Sequence, residues 1–146
     1  MKKEKTRKEK DALGVKTIPR SAYGGIFYAR AHENFTVSTR RMPFSFYQNL
    51  ALLKEVAAQT HLHAQRLDAR VAHAISRAAT EIVRGKNYPE FDLDVFQAGA
   101  GTPFNMTMNE VLANRALELL GERKGKYSLI HPNTHVNMMQ STNDVV

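Results

Sequence analysis

The stretch QAGAGTPFNMTMNEVLANRALELLG, residues 97–121, carries most of the fold decision. Gly99 and Gly101 make a tight turn, and proline at 103 suits the first turn of a helix. From there Met108, Leu112 and Leu119 recur at helical spacing with Leu117 and Leu120 beside them, and Gly121 suits the residue just past the end. A helix over about Pro103 to Leu120 is therefore predicted. Free N–H groups and the dipole at such a helix start favour an anion. The Lys-Ser/Thr pair of a P-loop and the full spacing of a dinucleotide turn are both absent, which leaves an anion site of unspecified kind. Thr102 adds a hydroxyl donor to those amides, a combination suited to a carboxylate oxygen. The competing reading is a plain tight turn with Thr102 capping the helix.

Two more helices precede this one. Ser45 to His63 repeats apolar residues at Leu50, Leu53, Ala57 and Ala58. Asp68 is placed to cap a second helix with a stripe of Val71, Ile75, Ala78 and Ile82, ended by Gly85. From Asp11 to Pro43 the chain is punctuated by Gly14, Pro19, Gly24 and Gly25, which predicts an irregular or hairpin-like opening. The fold class is thus mainly α, with an irregular or short hairpin opening followed by three or more helices.

With 146 residues, 42% of them apolar, the chain has the length and composition of one ordinary domain with a core. The absence of cysteine removes disulfides, thiolate metal sites and a cysteine nucleophile. Of the net charge of +7, +4 sits in MKKEKTRKEK, where six Lys or Arg face two Glu. Such a run can bind nucleic acid or acidic lipid, but a solvated, frayed terminus is the commoner reading, so residues 1–10 are read as a basic flexible tail and 11–146 as the domain. No apolar run of signal-peptide or membrane-spanning length follows, so no membrane or nucleic-acid partner is expected and the default compartment is the cytoplasm.

Six histidines carry any metal argument. His61 and His63 are two apart and diverge on a helix, and Pro132 and Asn133 disfavour a regular helix between His131 and His135, so no metal is expected. The run Gln140, Ser141, Thr142, Asn143, Asp144 offers neutral donors that can surround a carboxylate by geometry alone, or a cap for a helix beginning near Val146. From the residues alone the cap is favoured.

Taken together these segments resemble the fumarase and aspartase superfamily. Arg7, Glu9, Asp11, Leu13 and Gly14 stand as in its opening R-x-E-x-D-x-L-G block. IPRSAYGG at 18–25, RAHENF at 30–35, DVFQAGAGT at 94–102, NEVLANRALELLG at 109–121, HPNTHVN at 131–137 and QSTND at 140–144 follow in order. Phe96, Ala98, Ala100 and the Ser141-Thr142-Asn143 order lean toward aspartate ammonia-lyase rather than fumarase. The resemblance implies the N-terminal lyase domain of that family, covering roughly its first third and truncated before the central helical bundle.

It implies a carbon–nitrogen lyase that converts L-aspartate to fumarate and ammonia by anti elimination, with no cofactor, in a homotetramer whose active sites are each built from three subunits. Thr102 corresponds to the threonine that contacts substrate, and Ser141, Thr142 and Asn143 to the trio that binds its carboxylates and amino group. His131 and Asn133 correspond to a secondary dicarboxylate site. The catalytic serine loop lies outside the resemblance, so no catalytic residue is assigned here and the isolated chain is expected to be inactive. A fumarate hydratase-like segment, or a non-catalytic partner of full-length subunits, are the alternatives. Pro103 stands where the family pattern has a second hydroxyl, Thr107 where it has an asparagine, and Thr134 where it has an aspartate.

Overall fold

A computed structural model describes residues 5–146. Strands β1 (Thr6–Asp11) and β2 (Gly14–Pro19) form an antiparallel hairpin in which Arg7 faces Ile18 and Asp11 faces Gly14. Asp11 accepts the Leu13 N–H at 2.9 Å, and Gly14 has φ +114°. The boundary expected after Lys10 therefore falls inside a strand; residues 1–4 lie outside the described residues. The reason is that two members of the basic run serve the interior. Arg7 donates to the carbonyls of Pro19, Ala22 and Gly24, each at 2.8 Å, and pairs with the buried Glu9 at 2.7 Å.

Helix α1 (Ile26–Asn34) follows, within the segment expected to be irregular. Its N-cap is Gly25, with no side-chain cap of its own. The free N–H groups of its first turn are instead met by two distant carboxylates: Gly25, Phe27 and Tyr28 donate to Glu110 at 2.8, 2.9 and 2.9 Å, and Ile26 donates to Glu9 at 2.8 Å. A Cβ on Gly25 would come within 2.7 Å of both carboxylates and the Tyr127 hydroxyl, so only glycine fits.

The other helices match expectation closely. They are α2 (Phe44–His63), α3 (Ala69–Val83), α4 (Thr102–Leu119) and the short α5 (Thr142–Val145). Asp68 accepts the Val71 N–H at 3.1 Å, and the stripe Val71, Ile75, Ala78, Ile82 is buried. Helix α2 presents a different face from the one the apolar residues suggest: Tyr47, Leu50, Ala51, Lys54 and Ala58 face inward, whereas Leu52, Leu53 and Val56 are about half exposed. The face is chosen by packing against α3, and it takes a lysine inside. Tyr47 stacks on Phe91 with centroids 4.2 Å apart.

Helix α4 is the axis, buried from Pro103 through Leu117 on nearly every side. Among its inward residues are Asn105, Thr107, Asn109, Glu110 and Asn114. Asn114 donates to the Tyr23 carbonyl at 2.7 Å and accepts the Gly125 N–H at 2.7 Å, tying both flanking loops to the helix. Burial pushes the Glu110 carboxyl up to about 7, against the pull of the Tyr28, Phe27 and Gly25 N–H groups. In Glu110→Gln one of the two acceptor oxygens becomes an NH2 that faces an N–H donor. Stability in urea is expected to fall by about 2 kcal/mol at about pH 8, with α1 amides losing hydrogen-exchange protection first.

Candidate functional site

The Gly99–Gly101 turn is a 3-10 turn in which Gly99, Ala100 and Gly101 all have positive φ, at 58°, 51° and 92°. Gly101, not Thr102, is the N-cap of α4, and Thr102 is already helical. The Thr102 hydroxyl donates to the Gly99 carbonyl at 2.7 Å, which closes the turn. It is thus neither the expected cap nor, in this arrangement, a free donor; its lone pairs stay open. Pro103 occupies the first helical turn, as expected.

Against this turn lies the end of the chain. A Cβ on Gly101 would stand 2.5 Å from Val146 Cγ1, so the glycine admits α5 to the start of α4. Ser141 is the N-cap of α5 and accepts the Asn143 N–H at 3.3 Å, as the capping reading predicts. Ser141 and Asn143 are exposed and Thr142 is half-buried. The fold therefore brings the segments of Thr102 and of Ser141–Asn143 to one place, although about forty residues separate them in the chain.

Beneath Thr142 is a polar network, anchored on the fully buried Lys54 and Asn105, that sequence reasoning did not identify. Asn105 Nδ2 donates to Thr142 Oγ1 at 3.0 Å and to Asn137 Oδ1 at 3.1 Å. Lys54 Nζ donates to the same Asn137 Oδ1 and to Gln140 Oε1, both at 2.8 Å. Asn137 Nδ2 in turn donates to the Gln140 carbonyl at 3.0 Å. Lys54 is fully buried and, among the described residues, no carboxylate pairs with it. Its position between Ala51 and Ala58 on one helical face was the available signal.

His131 and Asn133 sit one step away, in the segment Pro132–Val136, which forms a single π-helical turn. His131 Nδ1 accepts the N–H groups of Asn133 and Thr134 at 3.1 and 3.2 Å, and His135 Nδ1 accepts the His131 N–H at 2.9 Å. These ring nitrogens hold the turn. His61 reaches from α2 to the Met138 carbonyl at 2.9 Å. A cavity of about 420 Å³ borders His131, with Lys8, Lys10, Phe27, Glu110 and Tyr127 among its walls. Asn133 meets the polar network through Asn137, at 3.5 Å. Among the described residues no helix is long and apolar enough to cross a membrane.

A family model described as Lyase matches residues 14–146. The chain belongs to this lyase family and corresponds to the N-terminal region of the fumarase and aspartase superfamily within it. It is 49% identical over 138 residues to aspartate ammonia-lyase of a Bacillus species, covering 94% of this chain and 30% of that one. It is 48% identical over 139 residues to class II fumarate hydratase of Nitrosomonas europaea, covering 95% and 30%.

Among solved structures, a fumarate lyase:delta crystallin from Brucella melitensis superposes with a TM-score of 0.93 at 46% identity, covering 96% of this chain and 32% of that one. The class II fumarase of Schistosoma mansoni gives 0.89 at 41%, covering 97% and 30%. The chain spans about 30% of the length of the curated relatives it matches.

Burial lowers the Lys54 ammonium from 10.5 to about 7. An unfolded chain keeps that proton up to its ordinary value, so unfolding takes up a proton between about 7 and 10.5 and stability rises with pH across that window. Thermal midpoints of the wild type are expected to climb from about pH 7 to about pH 9, and those of Lys54→Met to lose most of that slope.

Proposed function

We propose that this chain supplies the carboxylate-binding N-terminal part of an aspartate ammonia-lyase-like enzyme, the reaction being L-aspartate to fumarate and ammonia by anti elimination. The observation that carries this reading is the junction of the Thr102 turn with Ser141, Thr142 and Asn143, where the available side-chain groups are hydroxyls and an amide. Removing a proton beside a carboxylate builds negative charge on that carboxylate. Neutral donors prearranged around that carboxylate favour the charged state over the ground state. The Ser141-Thr142-Asn143 order resembles that of aspartate ammonia-lyases and supports the amino-acid substrate, and fumarate hydratase-like chemistry is the alternative on the same platform. No cofactor enters this chemistry.

The 146-residue chain by itself is proposed to bind and not to turn over. Titrating it with L-aspartate, L-malate and succinate while following backbone amide signals is expected to shift those of Ser141 to Asp144, and Thr142→Val is expected to suppress the shift. No perturbation by any of the three would overturn the carboxylate reading. Incubation with L-aspartate is expected to produce no fumarate absorbance, and turnover above a Thr102→Ala control would show that the chain is catalytic alone.

A second reading is favoured by the outer face of α2, where Leu52, Leu53 and Val56 are 47%, 48% and 54% exposed. Such a face suits association with full-length subunits as a non-catalytic partner. Co-expression with a full-length aspartate ammonia-lyase is expected to give mixed oligomers, and Leu53→Glu to abolish them; a monomer indifferent to that enzyme would remove this reading.

A further inference from the structure

Every amide and hydroxyl in the network under Thr142 can in principle face either way, whereas the Lys54 ammonium can only donate. That asymmetry sets the direction of the whole chain of bonds. Asn137 must turn Oδ1, not Nδ2, toward Lys54 Nζ at 2.8 Å. Asn105, 3.1 Å from that same oxygen, must then present Nδ2 to it, because the reversed amide would place two acceptors together. The second hydrogen of Nδ2 goes to Thr142 Oγ1 at 3.0 Å and occupies a lone pair there. Thr142 is left with its proton, and no acceptor among the described residues receives it. The hydroxyl therefore points its hydrogen out of the network.

Two further observations fit a device for orientation rather than for stability. Asn105 Oδ1 is buried without a partner, the cost of holding the amide in this sense. Lys54 is fully buried with no carboxylate beside it, where an apolar side chain of like length would be at least as favourable for folding. The ammonium spends two of its hydrogens on Asn137 and Gln140, and it is this protonated form, with no lone pair, that sets the direction. Lys54 and Asn105 are fully buried, whereas Asn137, Gln140 and Thr142 are half-buried, so the network runs from the interior to the surface.

We propose that Lys54 is a positioning residue: through Asn137 and Asn105 it fixes the Thr142 hydroxyl as an outward donor to a substrate carboxylate. This rests on the carboxylate-binding reading above, and the test separates the two. Succinate binding to the whole chain is measured by amide shifts in the wild type, Lys54→Met, Thr142→Val and the double variant. Lys54→Met is expected to weaken binding about tenfold in the wild-type background and less than about twofold beside Thr142→Val, since the lysine acts through that hydroxyl. An unchanged affinity, or an equal loss in both backgrounds, overturns the proposal.

If Lys54→Met does not fold, Asn105→Leu breaks the same relay without touching the lysine and is held to the same two criteria. If the wild type binds no succinate, the carboxylate reading fails and the relay is judged by itself, from the side-chain NH2 signals of Asn105. Their exchange protection is expected to be lost in Lys54→Met, and protected, unshifted signals there overturn the relay.

Discussion

Everything in the N-terminal half hangs on how one irregular stretch has its backbone amides satisfied. From Tyr23 to Tyr28, each N–H donates to a buried carboxylate: Tyr23 and Gly24 to Glu90, Gly25, Phe27 and Tyr28 to Glu110, Ile26 to Glu9. Arg7 takes the opposite role, donating to the carbonyls of Pro19, Ala22 and Gly24. A loop that would be costly to bury becomes the anchor of the hairpin, of α1 and of the middle of α4 at once.

The same principle is repeated at the other end of α4. Asn114 fastens the loops around Tyr23 and Gly125, Glu110 caps α1, and Asn105 reaches the Lys54, Asn137 and Thr142 network. One helix therefore carries both the scaffold's fixings and the support of the candidate site. Its polar residues are spaced so that successive turns serve different neighbours. Thr142 is thus tied through Asn105 to a helix buried over most of its length.

Much was legible from local pattern. The stripe of α3, its Asp68 cap, the proline and glycine that bound α4, and the Ser141 cap of α5 are local signals, satisfied by neighbours a few residues away. Helix α1 was not legible because its capping groups come from Glu9 and Glu110, the latter 85 residues from Gly25. The inner face of α2 was misread for a related reason: Lys54 is polar by composition, and only its burial against Asn137 and Gln140 makes it an interior residue. The basic run misled in the same way, since Arg7 and Glu9 count as tail charges until the carbonyls and amides they bind are in view.

By itself, then, the sequence determined the family, the helical class and which hydroxyl and amide side chains stand at 102 and 141–143, because these follow from short-range spacing and from ordered motifs. Only the tertiary structure decided that Gly101 and Val146 touch, that Thr102 spends its proton on Gly99, and that Lys54 lies beneath Thr142. Hydrogen-bond direction is a property of the assembled network. A lone asparagine or threonine has no preferred sense until a group that can only donate, here the ammonium of a buried lysine 88 residues before Thr142 in the chain, removes the choice.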